Sequence, residues 1–106
     1  AISPGVRMRY RAMHEFTARL PLLEPAFTES LIGQTTTESM HIGGSWSAVF
    51  EIQQMIAKYE EQYGNFSIIL TGGDSDFLSK RLKNTIFANA NFLTESLYRT
   101  FQFQSK

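Results

Sequence analysis

Phe66-Ser67-Ile68-Ile69-Leu70-Thr71, followed by Gly72-Gly73-Asp74, is the stretch that decides the fold class. A short apolar run bounded by turn residues is the pattern of a strand covered on both faces. The chain then turns at the two glycines, and Asp74 or Ser75 is expected to cap a helix reaching about Leu82. Thr85-Ile86-Phe87-Ala88 reads as another short strand. After Asn89-Ala90-Asn91, a final helix is expected near residues 94–101, with Leu93, Leu97 and Phe101 on one side. Alternating strands and helices favour a parallel sheet with covering helices, so the expected class is α/β. Two or three short strands are few for such a sheet, which predicts that part of the domain lies elsewhere.

Toward the N-terminus the pattern turns helical. Ser3 is placed to accept from the free amides of a helix start, and Pro4 suits the first helical position. Val6, Tyr10, Met13, Thr17 and Leu20 then follow one helix face. Pro21 ends that helix, and Leu20-Pro21-Leu22-Leu23-Glu24-Pro25 must be extended, because a residue before proline is pushed out of the α region. Residues 26–35 read as a loop or short strand turning at Gly33. A long helix is predicted from Thr36 or Thr37 to Tyr63, with Glu38 in its first turn and Gly64 as its stop. Gly43-Gly44 inside it costs about 1 kcal/mol per glycine relative to alanine, and close packing of another backbone is the simplest compensation.

Composition bounds the function classes. The chain has 106 residues, 42% hydrophobic and 19% charged, the balance of one small globular domain. Its longest aliphatic run, Ile68-Ile69-Leu70, is far short of the roughly 18 residues of a membrane span. Cysteine is absent, which excludes disulfides, thiolate zinc sites and cysteine nucleophiles. The formal net charge is zero, but residues 1–20 carry +3, residues 21–76 carry −7 and residues 77–106 carry +4. No overall field draws the chain to nucleic acid or an anionic membrane, and no like-charge block reaches the ~5 residues of an interaction tail. Ala1-Ile2-Ser3-Pro4-Gly5 has neither the basic nor the apolar region of a signal peptide. It reads as a strand end running into a helix, so the chain is expected to be a fragment.

Several short stretches are candidates for chemistry. Thr71-Gly72-Gly73-Asp74 opens a helix at the carboxyl end of a buried strand, where open α/β sheets bind ligands. Glycines there let backbone approach a phosphate or ribose, though a plain tight turn has the same sequence. In Gly33-Gln34-Thr35-Thr36-Thr37 one hydroxyl is expected to cap the long helix, leaving another to bind a polar ligand or to stay idle. Gly5 in Ser3-Pro4-Gly5 permits close approach, or simply starts a helix. His14 and His41 lack the spacing of a zinc helix or a catalytic arrangement, and read as surface or packing residues. Trp46, Phe50, Tyr59 and Tyr63 read as core or interface, because basic residues are not interleaved with them. Asp74 and Asp76 form a carboxylate pair better explained as caps than as metal ligands, so no metal residue is assigned.

In order and spacing, these segments resemble the last half of a type III pantothenate kinase. The similarity is carried by Ile2-Ser3-Pro4-Gly5-Val6-Arg7-Met8-Arg9, His14-Glu15-Phe16-Thr17-Ala18-Arg19-Leu20-Pro21, Gly33-Gln34-Thr35-Thr36-Thr37-Glu38-Ser39 and Ile69-Leu70-Thr71-Gly72-Gly73-Asp74. Lys80-Arg81-Leu82-Lys83-Asn84-Thr85-Ile86-Phe87-Ala88 is similar to members from Bacteroides-type bacteria. The resemblance implies a partial ribonuclease-H-like lobe of the actin, Hsp70 and sugar kinase superfamily, with a short, mostly parallel sheet and covering helices. It places residues 1–106 in the C-terminal part of the second lobe, the N-terminal lobe being absent. It further implies a cytoplasmic homodimer that transfers the γ-phosphate of ATP to pantothenate, the first step of coenzyme A biosynthesis, with Mg²⁺ and a monovalent cation. The pantothenate pocket would lie at the subunit contact. Thr36 matches the family's pantothenate-binding threonine, and Gly72 and Gly73 match the turn beside the nucleotide.

The N-terminal phosphate-binding loop, the catalytic aspartate that serves as general base and the first strands of the second lobe have no counterpart here. The two glycines that normally precede Ser3-Pro4-Gly5 are also missing. No catalytic residue is therefore assigned, and this chain alone is expected to be inactive. The alternative is a regulatory or DNA-associated domain, since some members have been labelled transcriptional activators of the Bvg accessory factor type. Its sequence support is Arg7, Arg9 and Arg11 with Lys80, Arg81 and Lys83. At helical spacing Arg9 points away from Arg7 and Arg11, and no helix-turn-helix pattern is present.

Overall fold

Val6 and Tyr10 on one helix meet Ala48, Val49, Ile52 and Ile56 on another, and Leu78 and Leu82 close this buried cluster. The computed structural model describes residues 1–64, 68–82, 86–88 and 104–105, with side chains over 1–64 and 72–82. Helix α1 spans Val6–Glu15. A second helical body comprises α2 (Thr36–His41), a π-helical turn (Ile42–Trp46) and α3 (Ser47–Tyr63). Then follow β1 (Ile68–Gly72), α4 (Ser75–Ser79), β2 (Ile86–Ala88) and β3 (Gln104–Ser105). The described strands form one parallel sheet in the order β2-β1-β3. Ile68 pairs with Ile86 and Leu70 with Ala88, while Gly72 pairs with Ser105. Residues 68–71 of the stretch read as a strand thus lie in the middle strand of the described sheet, which runs one residue further than expected, to Gly72.

Local chemistry shifts the ends of α1 from the expected places. The N-cap is Gly5 in an extended conformation, not Ser3, and no side chain caps the helix. Instead Arg9 folds back, donating from Nε to the Pro4 carbonyl at 3.0 Å and from Nη2 to Ser3 Oγ at 3.3 Å. The helix ends at Glu15, before Thr17 and Leu20. Thr17 Oγ1 donates to the Met13 carbonyl and accepts from the Leu20 amide. The His14 ring lies 2.7 Å from the Leu20 carbonyl oxygen. Side-chain bonds of this kind offer the backbone an alternative to the next helical turn.

The long helix stops where expected, with Gly64 at φ +78° and its amide bonded to the Glu60 carbonyl. Its interior differs from the expectation. Gly43-Gly44 lies in the π turn, and the group against Gly44 is a side chain rather than a backbone. A Cβ on Gly44 would stand 2.5 Å from Cε2 of the buried Tyr10 ring, whereas one on Gly43 would meet nothing within 4 Å among the described residues. Helix α4 is also shorter than expected. After Ser79 the chain tightens, with the amides of Arg81 and Leu82 bonded to the carbonyls of Leu78 and Ser79. Strand β3 has no apolar run to announce it. The helix expected near residues 94–101 lies outside the described residues, and among those described no helix is long and apolar enough to cross a membrane.

The two glycines therefore separate in mutation. Gly44→Ala overpacks Tyr10 and is expected to cost about 1–3 kcal/mol, while Gly43→Ala gains about 0.5–1 kcal/mol from helix propensity. Urea unfolding of the two variants checks the contrast, and equal effects would contradict the packing.

Candidate functional site

The entrance to α2 settles which threonine does what locally. Thr35 is the N-cap, and its Oγ1 accepts from the Glu38 amide at 3.1 Å and donates to Glu38 Oε1 at 3.3 Å. Glu38 Oε1 in turn accepts from the Gln34 amide at 3.1 Å. This is a capping box displaced by one residue on its return bond. Thr36 is exposed in the first helical position, and its hydroxyl has no hydrogen bond among the described residues. It faces an open groove of about 410 Å³ that Met13, Leu20, Gly33, Gln34, Thr35, Ser39 and Met40 also line. The methionines and leucine make an apolar wall, and the threonines, serine and glutamine make a polar rim. Such a lining suits a small molecule with both aliphatic and hydroxyl or amide parts. Gly33 permits this shape, because a Cβ there would come within 2.9 Å of the Ser39 backbone.

A second candidate lies at the carboxyl end of β1. Gly72 has φ +108°, a conformation that side chains rarely adopt, and Gly73 is exposed with open space where a Cβ would sit. Asp74 follows in the N-cap position of α4 but makes no capping bond. Its carboxylate is buried, with Oδ1 3.3 Å from Arg7 Nε and Oδ2 without a hydrogen-bond partner among the described residues. Asp76 is exposed one residue into α4, and among the described residues no three His, Asp or Glu side chains converge on a cation position. The groove lining includes Thr36 but neither Gly72 nor Gly73, so the candidate residues fall into two separate places.

Ion pairs within the chain engage the N-terminal basic cluster. Arg7 meets Asp74 and, at 3.6 Å, Glu24; Arg9 Nη2 lies 2.6 Å from Glu51 Oε2; and Arg11 pairs with Glu15 one turn on. Arg81 in the second cluster lies over the rings of Phe27 and Trp46, at 4.8 and 5.7 Å from their centroids. Lys83 lies outside the described residues. Trp46 also donates from Nε1 to the Thr28 carbonyl and packs edge-on against Phe27, an anchor for the 26–35 segment rather than a free platform. His41 Nδ1 lies 2.6 Å from the Tyr10 hydroxyl, a packing role, and His14 is a surface residue.

The family model for type III pantothenate kinase matches residues 1–58, which include α1, the groove and most of the long helix. The chain belongs to the type III pantothenate kinase family. Type III pantothenate kinases of Flavobacterium johnsoniae and Flavobacterium psychrophilum are 54% and 56% identical to it over 104 residues, 98% of this chain. That of Bacteroides fragilis is 33% identical over 104 residues. The chain spans about 43% of the length of each of these relatives. The family match therefore reaches the Thr36 groove, and the relatives' alignments cover nearly the whole chain.

Periodicity alone could not reveal the groove, because Met13, Leu20 and Met40 carry the same apolar signal whether they fill a core or line a cleft. The Arg7–Asp74 pair was equally hidden, since an aspartate after two glycines has the ordinary appearance of a cap. Arg9 and Glu51 were legible only as opposite charges. For Glu51, burial pushes the carboxyl up, but hydrogen bonds from Ser3 and Arg9 and the Arg9 charge outweigh it and hold it below the usual range. A depressed carboxyl stabilises the fold above its unfolded value and loses that contribution as pH falls through the folded value. Acidification through the carboxylate range is thus expected to destabilise the protein, with a smaller loss in Glu51→Gln. Urea midpoints measured from pH 7 to 3 would refute the assignment if the two profiles were parallel.

Proposed function

We propose that this chain is the C-terminal part of the second lobe of an ATP-dependent pantothenate kinase, supplying one wall of its pantothenate site and its nucleotide turn. In this reading the full-length enzyme moves the γ-phosphate of ATP to the primary hydroxyl of pantothenate, opening coenzyme A biosynthesis. The observation that carries it is the Thr36 hydroxyl, unengaged among the described residues on a groove of mixed polarity while its neighbour Thr35 does the capping. Gly72 and Gly73 are assigned to the nucleotide, supported by an open turn at the carboxyl end of a central parallel strand. The same topology supports a partial ribonuclease-H-like lobe of the actin, Hsp70 and sugar kinase superfamily. Mg²⁺ and a monovalent cation belong to the proposed reaction, but the described residues offer no converging set of acidic or histidine ligands, and no step is derived through either ion.

Phosphoryl transfer depends chiefly on positioning and charge stabilisation around the phosphates. This chain contributes to positioning and is assigned no base. Purified alone, with ATP, Mg²⁺ and pantothenate, it is expected to form no phosphopantothenate, and turnover above background would overturn that division of labour.

Thr36→Val in the full-length enzyme is expected to raise KM for pantothenate, by the equivalent of about 1–3 kcal/mol for a lost partner in a binding pocket, and to leave KM for ATP in place. Thr35→Val instead removes a cap and lowers stability by about 1 kcal/mol. Steady-state kinetics and melting curves on both variants separate these roles, and an unchanged pantothenate KM in Thr36→Val would refute the site. The reading also makes the full-length protein a homodimer. Exposed Leu31, Ile32 and Phe50 support an apolar contact near the groove loop and the long helix. Sedimentation of the full-length protein is expected to give a dimer.

A further inference from the structure

We propose that Asp74, locked by Arg7, is a positioning residue that holds the Gly72–Gly73 turn in its nucleotide-ready shape and ties it to α1. The inference rests on the nucleotide reading of that turn. Three observations carry it. First, Asp74 occupies an N-cap position yet makes no capping hydrogen bond, so its carboxylate is directed elsewhere. Secondly, it is a buried carboxylate with a single cationic partner among the described residues. Its side chain is 4% exposed against 56% for Arg7, and the contact runs from Oδ1 to Nε at 3.3 Å. Thirdly, Asp74 Oδ2 is buried with no hydrogen-bond partner among the described residues. A local cap would satisfy the turn at less cost, since a buried polar atom left unpaired forfeits its hydration. Asp74 is nevertheless ionically bound to a residue distant in sequence, and it directly follows the two glycines.

The geometry explains what the pair does. Gly72 and Gly73 accept many backbone conformations, which leaves the turn without intrinsic rigidity. Backbone that is to meet a ligand must be held before the ligand arrives, or binding bears the ordering cost. Val6, beside Arg7, is fully buried, so α1 is a firm anchor for the arginine's backbone. Arg7 also lies 3.6 Å from the exposed Glu24, a weaker contact than the one to Asp74. The turn is thereby fastened to the helix that follows Ser3-Pro4-Gly5. Removing Arg7 leaves the buried Asp74 carboxylate uncompensated, and removing the carboxylate releases Arg7 from the turn, so the tie is sensitive to either partner.

The test uses the full-length enzyme and four variants: Asp74→Asn, Arg7→Lys, Arg7→Met and Gly73→Val. Asp74→Asn and Arg7→Met are expected to raise KM for ATP roughly five- to tenfold, with kcat and KM for pantothenate close to wild type. Arg7→Lys, which keeps a positive charge, should recover most of the ATP affinity. A merely structural role would instead lower the melting temperature and the active fraction, leaving KM for ATP unchanged in the folded enzyme, and would overturn the proposal. Gly73→Val reports on the underlying reading. If it raises KM for ATP while Asp74→Asn and Arg7→Met do not, the positioning role is refuted and the nucleotide turn stands. If Gly73→Val leaves KM for ATP unchanged, the nucleotide assignment fails and this inference fails with it.

Discussion

Tyr10 is the constraint on which the helical part of the molecule depends. Its ring occupies the space that a side chain at position 44 would need, and its hydroxyl lies 2.7 Å from Ser45 Oγ, 2.6 Å from His41 Nδ1 and 3.3 Å from the Ala26 carbonyl oxygen. One residue of α1 thus touches the end of α2, the π turn and the irregular 26–35 segment. A single phenolic proton satisfies only one acceptor, so the network closes only when a neighbouring group also donates. Burial makes that closure matter, because unpaired polar atoms inside a protein cost more than exposed ones. The glycine pair, which weakens the helix by propensity, becomes intelligible as the gap that admits this ring.

The groove follows from the same arrangement. Met13 lies one turn beyond Tyr10 on α1, and Met40 directly precedes His41 on α2. Fixing Tyr10 to His41 therefore fixes the spacing of the two methionines that form the apolar wall. The capping arrangement of Gln34, Thr35 and Glu38 then sets the rim and leaves Thr36 uncommitted. Trp46 and Phe27 hold the intervening loop from its far side. A π turn within a long helix is a recurrent companion of functional sites, and here it stands between the groove and the core rather than in the groove.

Electrostatics joins these elements to the rest of the chain. The basic N-terminal stretch and the acidic middle meet in specific pairs, and each pair bridges different structure. Arg9 and Glu51 fasten α1 to α3, while Arg7 and Asp74 fasten α1 to the turn after β1. Part of the uneven charge distribution is thus an internal complementarity between residues far apart in sequence. Arginine suits both tasks, since its planar fork serves several acceptors at once, as Arg9 does with Pro4, Ser3 and Glu51.

The sequence alone determined a strand before the two glycines, a second strand ending at Ala88, the stop of the long helix at Gly64 and the family to which the chain belongs. These are legible because an unbroken apolar run, a glycine stop and an ordered set of short motifs each act locally. The tertiary structure decided which of the adjacent threonines caps and which stays free, because both have equal capping ability and only the position of Glu38 and the loop discriminates. It also placed the Tyr10 ring at Gly44, where local rules suggested a backbone. It paired the polar Gln104-Ser105 with β1, whose open edge recruits a partner through backbone hydrogen bonds that leave no apolar signature. Asp74 makes the same point at one residue. Its identity after two glycines reads as a cap, and only the approach of Arg7 from a distant helix gives the buried carboxylate an ionic partner.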